Sequence, residues 1–352
     1  MYRLGTVPVP IGDSPQRAIL TQTGTVPNQY ILTQINQSPI VQSSTQSSVQ
    51  ILDRLRIVCY YWIGRRDLMR FRLLALDIDG TLLNSRSELT DRTVQAVRRA
   101  NAVGLKVCLV SGRRPRSMGR ISDQIGLNNP LVALNGGAIT MPGTLQSLHT
   151  IALERQKIVP ILQVWRNAGL TAFVSRGSAH PPDLFYDIDP CLPQCQDYIK
   201  YEGENAAKVA SLTECIDWNP MRLSVNDNKD QVYYARELAE PYLDEQHMRG
   251  LISDHYDGSW FYELYPAQAT KANGLKFLGE YFGIRPEEMI AVGDHINDLD
   301  MIEFAGLGVA MGNAQPFVKE VADLVIGHHD ADGLAVFIEN YLLNEDEDSI
   351  AK

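Results

Sequence analysis

From Arg72 onward, short apolar runs alternate with stretches whose apolar residues recur at helical spacing, which predicts a parallel α/β sheet. Arg72 to Ile78 reads as a buried strand, and Thr90 as the cap of a helix carrying Val94, Val97 and Ala100 that closes at Gly104. Leu105 to Val110 is the next predicted strand. Pro115 opens a helix to about Ile125, and Leu131 to Leu134 is a third strand ending at Asn135-Gly136-Gly137.

The pattern then changes. Residues 151–260 offer an amphipathic helix (154–168), strand candidates at 170–174 and 221–225, a helix at 229–238, and paired strands that run on to Tyr265. This reads as an α+β insertion. Afterwards the βα alternation resumes with a helix from Lys271, a strand at 289–292, a helix from Asn297, a strand at 307–311 and a last helix at 334–343. The expected organisation is a core of 69–150 and 261–352 interrupted by an inserted domain, 151–260.

The first fifty residues contain 8 Gln, 6 Ser, 6 Thr and 5 Pro, with few periodic apolar positions to offset the entropy of ordering them. Residues 1–68 are therefore expected to be a disordered leader, or one upstream of the native start, since Met69 directly precedes the first strand of a complete-looking domain. Composition adds limits. Of the 352 residues, 45% are hydrophobic and 21% charged, as in a soluble globular protein, and the length suits two folded units. Lys and Arg number 32 against 42 Asp and Glu, a net charge of −10 that disfavours a general grip on nucleic acid or anionic membrane. Five cysteines without CxxC spacing read as reduced thiols of a cytoplasmic protein. The apolar run 57–63 is far short of the ~20 residues that span a bilayer.

Candidate chemistry falls where predicted strands end, the place where open α/β sheets bind ligands. Asp77-Ile78-Asp79-Gly80-Thr81 closes the first strand. Alternation puts Asp77 and Asp79 on one side, and Gly80 allows a sharp turn, although Asp and Gly are also common in plain surface turns. Ser111-Gly112-Arg113 closes the second strand, where a hydroxyl and backbone N–H groups can hold a phosphoryl oxygen. Lys271 opens a helix and can supply a positive charge. Gly293-Asp294-His295-Ile296-Asn297-Asp298 closes a later strand, its acids serving as ligands or as helix caps. Two unit charges ~5 Å apart repel by about 3 kcal/mol at an effective dielectric of ~20, so gathering Asp77, Asp79, Asp294 and Asp298 in one crevice calls for a cation. Hard carboxylate oxygens suit Mg²⁺.

In order and placement these segments resemble the four motifs of the haloacid dehalogenase superfamily, and the insertion between the second and third motifs resembles the type IIB, Cof-like branch. The resemblance covers about residues 70–343, and Asn135-Gly136 and Ala310-Met311-Gly312-Asn313-Ala314 share it. It implies a Rossmann-like core with a C2-type cap. It also implies an Mg²⁺-dependent phosphatase of small phosphorylated metabolites, sugar phosphates or related compounds. By resemblance, Asp77 is the nucleophile that forms an aspartyl-phosphate, and Asp79 the general acid and base. The metal would be held by the Asp77 carboxylate, the Asp79 backbone carbonyl and Asp294, with Asp298 in support. Ser111, Gly112, Lys271 and Asn297 would hold the phosphate. Arg176, His180 and Arg222 are cap candidates for substrate contact. A phosphomutase would use the same intermediate, and a catalytically silent binding protein would show a broken motif. His329 stands where the branch usually has Asn, and the neighbouring histidines His328 and His329 are expected in an exposed loop.

Overall fold

The computed structural model describes residues 71–177, 180–214, 219–254 and 259–343, with the short segments 7–11, 14–18, 20–22 and 30–32. The chain divides into two compact units, residues 1–63 and 64–352. In the first, Val7–Ile11 pairs antiparallel with Ser14–Ala18, and Leu20–Gln22 with Tyr30–Leu32. The rest of the expected leader lies outside the described residues.

The second unit is built on a five-stranded parallel sheet in the order Leu324–Val325, Leu307–Ala310, Met289–Gly293, Leu73–Leu76, Lys106–Leu109. Leu73–Leu76 reads as a continuous apolar run because both of its faces are covered. Leu74 and Leu76 enter a cluster with Val97, Met118 and Ile290, while Leu73 and Ala75 enter another with Leu275, Leu278 and Met301. The chain leaves this strand towards Lys106–Leu109 and returns on its other side through Met289–Gly293, so the strand order reverses there. That reversal opens a crevice at the strands' carboxyl ends.

Helix Asp91–Ala102 starts where its cap was expected, with the Thr90 side chain accepting from the Thr93 N–H, and buries Thr93, Ala96, Val97 and Ala100. Helix Pro115–Ile125 ends at Gly126 in the left-handed region. Leu131–Ala133 joins the parallel sheet through a single bridge, Val110 to Val132, and instead heads a three-stranded antiparallel sheet with Ala138–Thr140 and Ser147–Thr150. The expectation of a full third core strand is corrected accordingly.

The insertion forms a six-stranded sheet in the order Ala206–Lys208, Leu184–Tyr186, Ala172–Arg176, Pro220–Asp227, Trp260–Pro266, Met248–Asp254. Its pairs are antiparallel apart from Leu184–Tyr186 with Ala206–Lys208. Helices Arg155–Asn167 and Lys229–Ala239 cover one face, burying Ile158, Leu162, Trp165 and Val232 against Val174, Val225 and Leu264. Trp165 Nε1 donates to the Ala235 carbonyl at 2.8 Å and ties the two helices together. Because Trp260–Pro266 pairs along Pro220–Asp227, the insertion's sheet continues past residue 260. Met221 and Tyr265 of the insertion lie in the same buried cluster as Leu76 and Leu134.

Candidate active site

Asp77 follows the Leu73–Leu76 strand, its N–H donating to the Val292 carbonyl at 3.0 Å, so one backbone bond sets the nucleophile candidate between two strand ends. Its side chain is buried, and Lys271 Nζ donates to Asp77 Oδ1 at 2.6 Å and to Asp298 Oδ1 at 2.5 Å. Lys271 is the first residue of helix Lys271–Phe282, whose cap Thr270 accepts from the Asn273 N–H. This lysine is wholly buried. Burial works to lower its pKa, but Asp298 and Asp77 outweigh that, and the ammonium titrates above its ordinary range.

Asp298 uses its other oxygen to accept the N–H groups of Asp294 and His295, both at 2.9 Å, which fixes the turn after Met289–Gly293. Asp294 accepts from Thr81 Oγ1 at 3.2 Å and from Asn313 Nδ2 at 3.3 Å. Asp77, Asp294 and Asp298 each offer a carboxylate oxygen, and these lie within 4.8 Å of one another. Burial, then the Asp298 charge, pushes the Asp294 carboxyl up to about 7. The Asp77 carboxyl is raised well above the usual range by burial, against the pull of Lys271 and reinforced by Asp298, Asp294 and Asp79. One ammonium does not balance this cluster, and its hard oxygen donors fit a divalent cation.

Asp79 differs from its neighbour two residues earlier. It is exposed, and Arg113 grips it through Nε to Oδ2 at 2.8 Å and Nη2 to Oδ1 at 2.6 Å. The turn directly after Asp79 depends on Gly80 at φ 80°, where a Cβ would stand 2.2 Å from Asp294 Oδ2.

Ser111 is buried at the end of the second strand, its N–H donating to the Val132 carbonyl at 2.9 Å and its Oγ accepting the Arg113 N–H at 3.2 Å. A Cβ on Gly112 would be 3.3 Å from Asn135 Nδ2, so the loop lies against that side chain. Asn297 Nδ2 in turn donates to Asn135 Oδ1 at 3.0 Å. Asn135 is thereby the joint between the Ser111 loop and the Asp294–Asp298 turn.

Asp77, Lys271, Asp294 and Asp298 thus meet directly, while Ser111, Gly112 and Asn297 meet through Asn135. Sequence reasoning did not assign roles to Thr81, Arg113, Asn135 or Asn313. For Asn313 a signal existed, since it follows the Leu307–Ala310 strand as Asp77 and Asp294 follow theirs. Its Nδ2 also donates to the Gly80 carbonyl at 2.7 Å. Of the cap candidates, Arg222 reaches the site, donating to the Gly112 carbonyl at 3.3 Å. Arg176 donates to the Pro182 carbonyl within the insertion, and His180 is exposed. His329 corrects the expected exposed loop: it is buried, with Nδ1 3.0 Å from the Leu83 carbonyl, and its N–H donates to Asn313 Oδ1 at 3.1 Å. Its exposed neighbour His328 keeps the expected position.

Comparison with known proteins places the chain in a family. The haloacid dehalogenase-like hydrolase family matches residues 74–338, and the chain belongs to that family. It is 28% identical over 286 residues to the 5-amino-6-(5-phospho-D-ribitylamino)uracil phosphatase YitU of Bacillus subtilis, covering 76% of this chain and 97% of that one. The pyridoxal phosphate phosphatase YbhA of Escherichia coli is 26% identical over 294 residues, covering 78% and 100%. Among solved structures, a haloacid dehalogenase-like hydrolase from Bacteroides thetaiotaomicron superposes with a TM-score of 0.66 at 27% identity, over 77% of this chain and 99% of the other. A subclass IIB sugar phosphatase shares the fold, with a TM-score of 0.62 at 22% identity, over 77% and 98%. The protein is a phosphatase of the haloacid dehalogenase type, with an α/β core and an inserted cap.

Proposed function

We propose that the protein is an Mg²⁺-dependent cytoplasmic phosphatase that hydrolyses small phosphorylated metabolites, sugar phosphates or related compounds, through an aspartyl-phosphate on Asp77. The observation that carries this reading is the contrast between two acids on one turn. Asp77 is buried among Lys271, Asp294 and Asp298, where charge on a phosphoryl group can be met, and Asp79 faces solvent, where a leaving alcohol and water exchange. YitU and YbhA act on small phosphorylated compounds, which supports the substrate class.

In the first half-reaction an Asp77 oxygen forms a bond to phosphorus as the bond to the leaving oxygen breaks, and Asp79 gives its proton to that oxygen. In the second, Asp79 takes a proton from water while the water oxygen attacks phosphorus, which releases phosphate and restores the Asp77 carboxylate. Ser111, the Gly112 backbone, Lys271 and Asn297 hold the phosphate oxygens. Asp77, the Asp79 carbonyl and Asp294 would hold Mg²⁺, steadied by Asp298, and the ion would supply positive charge against the transferring phosphoryl group. The insertion closes over the crevice during phosphoryl transfer and limits the entry of bulk water, and the water that attacks the intermediate enters on the Asp79 side.

A panel of phosphorylated metabolites and an aryl phosphate, read by released phosphate, tests this. Asp77→Asn should reduce hydrolysis to background with the circular dichroism spectrum unchanged. Turnover at the parent rate in that variant would end the nucleophile assignment, and isomeric product without free phosphate would make the enzyme a mutase.

A further inference from the structure

The run Ser111-Gly112-Arg113-Arg114 is gripped from two sides. Towards the crevice, Arg113 forms a two-point fork on Asp79, which fixes both the position and the plane of the carboxylate. The same guanidinium braces on Ser117 Oγ at 3.3 Å, one turn along the helix it precedes. Towards the insertion, the residues on either side of Arg113 are both held. Arg222 donates to the Gly112 carbonyl at 3.3 Å, and is itself fixed by Glu263 at 2.8 Å and by Ser175 Oγ at 3.3 and 3.1 Å. Arg114 pairs with Asp183 and Glu202 of the insertion, and all three side chains are buried.

We propose that Arg113 is the positioning residue for Asp79, and that the insertion governs this positioning through its holds on Gly112 and Arg114. The inference rests on the reading of Asp79 as acid and base. Asp79's side chain is 45% exposed, so packing alone does not select one rotamer; the Arg113 fork does.

Because Arg113 lies between two anchored neighbours, a displacement of the insertion carries its backbone and the aim of Asp79 along. The Arg114 cluster makes that displacement a discrete step, since separating a buried ion pair strands a charge without a partner. The acid is therefore aligned when the insertion is seated on the loop, and loses its alignment when it is not.

The test compares an alkyl phosphate, whose alcohol needs a proton to leave, with p-nitrophenyl phosphate, whose phenolate does not. The readout is kcat/KM, which reports transfer to Asp77. For Arg113→Ala, kcat/KM on the alkyl ester should fall about 10²-fold while the aryl ester stays within about threefold, the signature of lost general acid catalysis. Arg113→Lys should restore part of the alkyl activity.

To test the insertion's part without stranding a buried charge, Arg114→Met is combined with Asp183→Asn and Glu202→Gln. That triple variant should show the same selective loss, smaller in size. Equal losses on both esters in Arg113→Ala, or no loss on either, would overturn the positioning role. Selective loss in Arg113→Ala with none in the triple variant would overturn the insertion's control. Asp79→Asn separates this inference from the reading beneath it. If Asp79→Asn spares the alkyl ester, the acid assignment falls; if it loses that ester selectively and Arg113→Ala does not, only the inference falls.

Discussion

Gly80 shows how one missing side chain serves the whole site. The chain turns away from exposed Asp79 at Gly80, φ 80°, and the place a Cβ would occupy there is taken by the Asp294 carboxylate. A methyl group there has to displace that carboxylate as well as strain the backbone. Since misplacing a reacting group by ~1 Å costs on the order of 10²-fold, Gly80→Ala should lower kcat by about that factor while the protein still folds. Steady-state kinetics beside a urea melt would show it, and an unchanged kcat would mean that Asp294 has room to retreat. The Asp-Gly pair was visible in the sequence as a turn. That a carboxylate from 214 positions later fills the space above it was not, because that contact belongs to a distant loop.

Elements with strong local signals are where the sequence was most legible. Helix Pro115–Ile125 has proline at its first position and glycine after its last, and it forms between the expected ends. The Asp91–Ala102 helix begins at Thr90, whose hydroxyl accepts from the Thr93 N–H and donates to Asp332 Oδ1 at 2.6 Å. Thr90→Ala removes both bonds, so the expected loss exceeds the cap's usual cost of about 1 kcal/mol. Urea unfolding measures it, and a midpoint equal to the parent's would show that water replaces the cap. Three-residue strands were missed: Leu184–Tyr186 and Ala206–Lys208 are too short for alternation to register, and their pairing comes from neighbours across the sheet. Leu131–Ala133 was legible as a strand but not by partner, since three antiparallel pairs with Ala138–Thr140 outweigh its single bridge to Val110.

Across the whole molecule, three acids and one lysine from three separate stretches of chain come together at the point where the strand order reverses. Because Asp77 and Asp294 are pushed towards their neutral forms by burial and by the charge of Asp298, a cation that favours the ionised forms should stabilise the folded protein. Thermal melts should therefore shift upward with Mg²⁺ by about 2.7 kcal/mol of stability at 100 times its dissociation constant. The shift should vanish in Asp294→Asn, and a melt indifferent to Mg²⁺ in the parent would remove the metal from the site.

The alternation of strands and helices in the core was legible in the sequence alone, and so were the candidate residues at the strand ends. Periodicity, caps and motif spacing are relations between near neighbours in the chain. Tertiary structure decided which of two similar acids is buried, which arginine holds the other, and which loop the insertion grips. Those outcomes rest on pairs such as Lys271 with Asp77 and Arg222 with Gly112, 194 and 110 positions apart. Burial and charge at such distances depend on the folded packing, which no local pattern encodes.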